Sequence, residues 1–438
     1  MKVMRFAALA AALLLISVAT LTPGTSAFNG NMRPDFWCFA CGATGGADVT
    51  VNIALFVPLG LSLALLGTPP ARTLWVAAGV SIAIECAQRY GFPPARVANA
   101  TDIATNTGGA LVGALLVRYG RYWMLPSQSQ ARRLIAGSSM AVASLYTLTA
   151  WALSPLSVIG APLLLQSSAY PFTPGYGWYH GFLSRVTVNE QVFLHAGDGP
   201  VILRGTAEGA RTIRVELTGR DERAGFVPFL YMHGESLAPP ALLLGQEQRD
   251  ARLSLMLRGS RLRLPGPHAI LPDAFAGPSK ALHTIAATVG PTEWSLASEH
   301  ADGRLQTRLR ITLGLGWTVF QTVVRNEPAI VTFVSSAWMF VLWLPLGYWC
   351  AFGAIAHRAT FALKEPGTVG SLLAGVSVLA LTLGWVPRWA GIAATSWVEW
   401  NCAVAGFASG IFFAWRVWRY QQRIDVPSLG LPRLTSSQ

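Results

Sequence analysis

The chain reads as a multispanning α-helical membrane protein of about eight helices, with an antiparallel β-sandwich inserted between two helical blocks. Three observations lead there. Apolar residues make up 52% of the chain and charged residues only 12%, against about 25% charged in a soluble domain. Long apolar runs recur on both sides of a central stretch that lacks them. That central stretch is rich in Pro and Gly and alternates apolar with polar residues, the period-two pattern of half-buried strands.

In chain order, the apolar runs lie near Phe6–Leu21, Val49–Leu66, Leu74–Gln88, Ile103–Val117, Leu134–Leu153, Ala329–Ala356, Val369–Val386 and Ala394–Trp415. Most are long enough to cross a hydrocarbon layer of about 30 Å. Lys2 and Arg5 precede the first run. Arg118, Arg121, Arg132 and Arg133 separate the fourth from the fifth, His357, Arg358 and Lys364 follow the sixth, and Arg416, Arg419 and Arg423 follow the eighth. If every run spans, all four clusters fall on one side, the cytoplasmic side by the positive-inside rule. The net charge of +12 is then mainly a topology signal, with contact to anionic lipid as a secondary effect. Nucleic acid is not an expected partner, since basic residues are not interleaved with exposed aromatics on a folded surface. The first run, followed by Thr25-Ser26-Ala27, fits a cleavable signal peptide as well as a retained helix; retention is the reading adopted.

Residues 1–153 therefore form a first transmembrane unit of five helices, 154–325 the inserted extracytoplasmic sandwich, 326–424 a second unit of three helices, and 425–438 a cytoplasmic tail. In the insert, basic and acidic residues nearly balance. Its alternation is visible at Ile213/Val215/Leu217, Leu253/Leu255/Leu257, Leu262/Leu264, and Leu305 through Leu313.

The two helical units echo each other. VPLG at 57–60 returns as LPLG at 344–347, AAGVSIAI at 77–84 as LAGVSVLA at 373–380, and the pair Gly109/Gly113 as Gly406/Gly410. Small residues shared by chance among apolar helices are the alternative. A true repeat would be degenerate, because Leu381 stands where Glu85 would be.

Strongly polar residues sit inside the first unit: Asp48 and Asn52, then Glu85 and Gln88, then Asp102 and Asn106. An Asp at the centre of a spanning helix costs about 2.5–3.5 kcal/mol, so such groups survive mainly where they face one another or a wet cavity. Spacings of three and four put each of the later pairs on one helix face. Helix orientation brings all of them to the outer leaflet, joined by a short loop carrying Arg89 and Arg96. The site reading is a ligand-binding pocket of Asn52, Glu85, Gln88, Arg96, Asp102 and Asn106. The bland reading of the same residues is a buried network, with Asp102 capping its helix, Arg96 paired with Glu85 and Asn106 as interhelical glue. Hydrolysis by a Glu85/Asp102 acid–base pair is a further alternative, with no nucleophile motif or phosphate loop to accompany it.

The ordered set Asn52…Pro58-Leu59-Gly60, Glu85-x-x-Gln88, Arg96…Asp102-x-x-x-Asn106-Thr107-x-Gly109…Gly113 resembles the VanZ-like family of small multispanning bacterial membrane proteins, over roughly residues 6–153. Where the family's usual pattern has Gly-Arg before the Asp helix, this chain has Pro93-Pro94-Ala95-Arg96. The resemblance implies a helical fold and a cell-envelope context, its founding member being linked to low-level teicoplanin resistance, but no reaction. The insert resembles laminin G or concanavalin A-like sandwiches, on Leu244-Gly245-Gln246, Arg252–Leu264, His283–Ala286 and Asp302-Gly303. That resemblance implies glycan binding, for which Trp178, Tyr179, His180, Tyr231, His233 and Trp294 are candidate stacking residues and buried core aromatics the alternative. No Asp/Asn cluster has Ca²⁺-loop spacing, so neither metal nor cofactor is expected. Cys38 and Cys41, in WCFACG, are expected to form a local disulfide; Cys86, Cys350 and Cys402 are expected to pack within helices.

The functional expectation is an inner-membrane protein that handles or senses cell-surface polysaccharide or a lipid-linked precursor. The alternatives are a membrane enzyme using Glu85 and Asp102, and a scaffold for envelope assembly proteins. Expected partners are membrane lipid and a lipid-linked glycan or polysaccharide.

Overall fold

The computed structural model describes residues 2–23, 36–37, 45–94, 96–156, 163–167, 179, 181–195, 201–203, 211–218, 226–233, 242–276, 281–300, 303–320, 328–355 and 366–425. The Cys38–Cys41 pair, Trp178, His180 and the 426–438 tail lie outside these residues. The chain divides into two compact units: 1–120 with 146–334 and 384–395, and 121–145 with 335–383 and 396–438.

The helices are α1 (Lys2–Leu21), α2 (Gly45–Leu65), α3 (Pro70–Arg89), α4 (Ala100–Arg118), the short α5 (Gly120–Met124), α6 (Gln128–Leu153), α7 (Pro328–Ile355), α8 (Pro366–Ala390) and α9 (Trp397–Asp425). Every apolar run thus became a helix, most with ends shifted by a few residues, while α9 starts at Trp397, inside its run, and continues to Asp425. Five of them, α1, α2, α6, α7 and α8, are long and apolar enough to cross a membrane. α3 falls short because Thr73, Ser81, Glu85 and Gln88 occupy its buried face.

In the first unit, α2 and α4 cross at backbone contact. Gly60 lies against the Ala110 carbonyl, Gly109 against the Ile53 carbonyl, and Gly113 between Val57 O and Leu61 N; a Cβ at any of them would collide with the facing main chain. Such small-residue seams substitute van der Waals contact for the hydrophobic driving force that lipid removes. Ile16 of α1 packs with Phe56, Leu59 and Leu63 of α2, Ala77 and Ile84 of α3, and Ala110 of α4 in one cluster. α1 is therefore part of the packed unit.

Among the described residues, the insert folds as twelve strands in two antiparallel six-stranded sheets, ordered β4-β1-β6-β7-β8-β9 and β12-β11-β10-β5-β2-β3. The first sheet comprises β1 (Leu163–Ser167), β4 (Val201–Leu203), β6 (Phe226–His233), β7 (Leu242–Glu247), β8 (Asp250–Leu255) and β9 (His268–Leu271). The second comprises β2 (Leu183–Val188), β3 (Gln191–His195), β5 (Arg211–Thr218), β10 (Leu282–Val289), β11 (Glu293–His300) and β12 (Gly303–Arg310). Of the alternating residues, Ile213, Val215, Leu217 and Leu253 are buried, joined in the core by Val186, Val188, Ala251, Ile285, Trp294 and Leu296, whereas Leu305 of the edge strand β12 is exposed. The expected strand at Leu262/Leu264 is instead the end of a 3₁₀ turn, Arg258–Leu262, closed by Arg263 in the left-handed region (φ 55°). A left-handed residue reverses the chain there, so the apparent alternation was that of a corner. At the other end Ile311 and Leu313 leave β12 for a buried 3₁₀ segment, Leu313–Phe320.

Tyr179 and Trp294 are buried in this domain rather than available to a sugar, with the Tyr179 hydroxyl donating to Thr218 O at 2.6 Å. The side chains of Tyr231 and His233 lie outside the described set. Enclosure beside the Arg252 guanidinium holds the His268 imidazole well below its ordinary pKa; its Nδ1 sits 2.9 Å from Ser254 Oγ. Two backbone bonds pin the domain to helix ends: Gly46 N donates to Arg263 O at 3.1 Å, and Ala393 N to Ile311 O at 2.8 Å.

Candidate functional site

The polar residues converge where the α3–α4 connection meets the beginning of α2 and the end of α1. Pro70 at the first helical position opens α3, and the buried stripe Thr73–Ala77–Ser81–Glu85 recurs every four residues, followed by Gln88. α4 is opened by Asn99, whose side chain accepts from Thr101 N at 2.9 Å, so Asn99 rather than Asp102 is the cap.

Glu85 is only 4% exposed, and its Oε2 accepts the Asn99 backbone N–H at 2.7 Å. A carboxylate on α3 thus holds the start of α4. Asn52 hydrogen-bonds the Asp102 side chain, bridging α2 and α4, and Asp102 lies in the electrostatic field of Asp48, Arg96 and Glu85. Asn106, 2% exposed, donates from Nδ2 to Ser81 Oγ at 3.0 Å, while its Oδ1 has no protein partner. Gln88 Nε2 donates to Thr20 O of α1 at 3.3 Å. All six residues expected from the sequence are therefore in one region. Ser81 belongs with them and was missed; its place in the four-residue stripe with Glu85 was the available signal.

The expected pairing of Arg96 with a carboxylate is not what forms. Its Nη2 donates to Ala19 O at 2.8 Å and its Nε to Thr22 O at 3.2 Å, closing off the carbonyls that α1 leaves unsatisfied at its C-terminus. A guanidinium presents several donors in a fork, and carbonyls at a helix end present the complementary partial charge. Glu85, Asp102, Asn52, Gln88 and Ser81 thus lie in one neighbourhood, bonded to one another and to the main chain, with Asn106 Oδ1 left unpartnered. That set hydrogen-bonds hydroxyl groups well, because carboxylates only accept and amides do both. Among the described residues, no three of His, Cys, Asp or Glu gather as a metal site.

The VanZ/LLP1 family model matches residues 9–123, the stretch from α1 through α5 that builds this site. No curated protein and no solved structure matches the chain.

Proposed function

We propose that this VanZ-like membrane protein takes the sugar headgroup of a lipid-linked glycan precursor into the space bounded by Asn52, Ser81, Glu85, Gln88, Asp102 and Asn106, at the outer leaflet of a bacterial cytoplasmic membrane. The observation that carries the reading is the buried Asn106 Oδ1 without a partner, beside the two acids. Unpartnered polar atoms in hydrocarbon are expensive and are kept where something else satisfies them. Eight spans, with α3, α4 and α9 added to the five most apolar, put the arginine clusters on the cytoplasmic side and the β-rich domain outside. There it meets surface polysaccharide, through a face of the second sheet on which Arg185, Arg214, Arg304, Arg308 and Arg310 outnumber Glu216, Glu293 and Glu299 and stand with Thr212, Thr284 and Thr288; Arg214 pairs with Glu299 at 3.7 Å. The excess arginines and the hydroxyls suit acidic glycans, and of the aromatics that could stack on neutral sugars Tyr179 and Trp294 are in the core.

The test is binding to the purified protein in nanodiscs. A polyprenyl-diphosphate-linked disaccharide is expected to bind, and bare polyprenyl phosphate to bind at least about tenfold more weakly, the worth of a hydrogen-bond set of roughly 1.4 kcal/mol. Glu85→Gln keeps the acceptor for Asn99 N but removes the charge, and is expected to weaken disaccharide binding by a similar factor. Equal binding of the two lipids would refute a sugar pocket, and release of a cleaved product would instead support the enzyme.

A further inference from the structure

The sequence echo between the two helical blocks has a counterpart in atomic contacts. In α7 and α9, Gly347 lies against the Phe407 carbonyl, Gly406 against the Phe340 carbonyl, and Gly410 between Leu344 O and Tyr348 N. In α2 and α4 the corresponding residues are Gly60 on Ala110, Gly109 on Ile53, and Gly113 between Val57 O and Leu61 N. Each glycine and its acceptor are displaced by a constant amount along their own helix, and the contacting atoms match. Pro345 of α7 repeats Pro58 of α2.

The third helix obeys the same correspondence. Gly375 of α8 abuts the Phe407 ring and Cys350 Sγ, just as Ala77 of α3 shares its cluster with Ala110 and Leu63. Where one unit has Ala77 with Ala110, the other has Gly375 with Phe407: a side chain lost on one helix makes room for one gained on its neighbour. Compensation of volume at matched positions is what close packing demands of two diverged copies of one core. Matching on these contacts puts Leu383, not Leu381, at the Glu85 position; the sequence alignment was two residues out of phase on α8.

We infer that α7–α9 are a second copy of the α2–α4 unit from which the polar lining has been removed, and that the positions of that removal mark the ligand-contacting set of the first copy. Asn52 corresponds to Met339, Ser81 to Leu379, Glu85 to Leu383, Gln88 to Val386 and Asn106 to Ala403, every one of these replacements buried. The glycine seam is kept and so is an acid one turn into the last helix, Glu399 for Asp102. Glu399 Oε2 accepts the Ser396 N–H at 2.6 Å, closing its own helix start. What both copies keep holds the fold; what only the first keeps does something else. Asp102, bonded to Asn52, is thus a wall of the space kept in both copies, and Ser81 belongs to the contact set.

This inference rests on the proposed sugar pocket for its ligand, and the experiment separates the two. In the full chain, Asn52→Met, Ser81→Leu, Glu85→Leu, Gln88→Val and Asn106→Ala are introduced together. Ser81→Ala is made singly. Melting in detergent and binding of the polyprenyl-diphosphate-linked disaccharide in nanodiscs are measured for each. The expected result is a folded quintuple variant without detectable binding and a folded Ser81→Ala weakened about tenfold (roughly 1.4 kcal/mol). A folded quintuple variant that still binds overturns the inference. So does a quintuple variant that fails to fold while Ser81→Ala binds normally. A parent that does not bind the probe removes the proposed function alone; the copy relation is then judged by whether the quintuple variant melts as the parent does.

Discussion

Gly109→Leu is expected to abolish the folded protein, while Gly108→Leu, one residue away, is expected to leave its melting temperature unchanged. A Cβ at Gly109 would strike the Ile53 carbonyl, whereas a Cβ at Gly108 has nothing within 4 Å. The Ile53 atom is backbone, so no rotamer change can relieve the collision and the helices must separate. Overpacking by single methylenes costs about 1–3 kcal/mol in rigid cores. A leucine adds several such groups at the place where α2 and α4 touch, and the seam also aligns Asn52 with Asp102. Gly406→Leu, against the Phe340 carbonyl, is expected to behave as Gly109→Leu does. Melting in detergent micelles, monitored by tryptophan fluorescence, reads all three variants. Equal stability of the Gly108 and Gly109 variants would contradict the packing described.

Arg96→Ala has the second largest expected effect. It removes two charge-assisted hydrogen bonds to Ala19 O and Thr22 O, about 1.5–3 kcal/mol for interactions with a charged donor. The end of α1 would loosen, although Ile16 and the Gln88 bond to Thr20 O still hold it. The diagnostic is coupling. A guanidinium bound to α1 carbonyls rather than to Glu85 should make Arg96→Ala and Glu85→Gln additive within about 0.5 kcal/mol. A double variant distinctly more stable than the sum would restore the ion pair that the sequence suggested.

The helices were legible because lipid leaves few other ways to satisfy a backbone, and the apolar runs carry that constraint directly. The meeting of Asn52, Glu85, Gln88, Arg96, Asp102 and Asn106 was legible because antiparallel helices joined by short connections bring their ends together. Partner choice was not. Arg96 can reach carbonyls or carboxylates, and nothing in its spacing says that α1 ends beside it with open acceptors. Helix capping by Asn99 was hidden by the more conspicuous Asp102. In the β-rich domain, alternation identified the core face of β5 and buried Leu253 of β8, but left Leu305 of the edge strand β12 exposed and failed at Leu262/Leu264, where a single left-handed residue turns the chain. Period-two patterns do not announce corners.

Everything proposed for the site depends on which way it faces. Thiol labelling tests this in a chain whose five cysteines are replaced by alanine. Single cysteines are then placed at Thr292, in the turn between β10 and β11, and at Ser129, in the first turn of α6 beside Arg132 and Arg133. In intact spheroplasts a membrane-impermeant maleimide is expected to label Thr292→Cys, and to label Ser129→Cys only after the membrane is permeabilised. Labelling of both sites in sealed cells, or of Ser129→Cys alone, would contradict an outward-facing pocket.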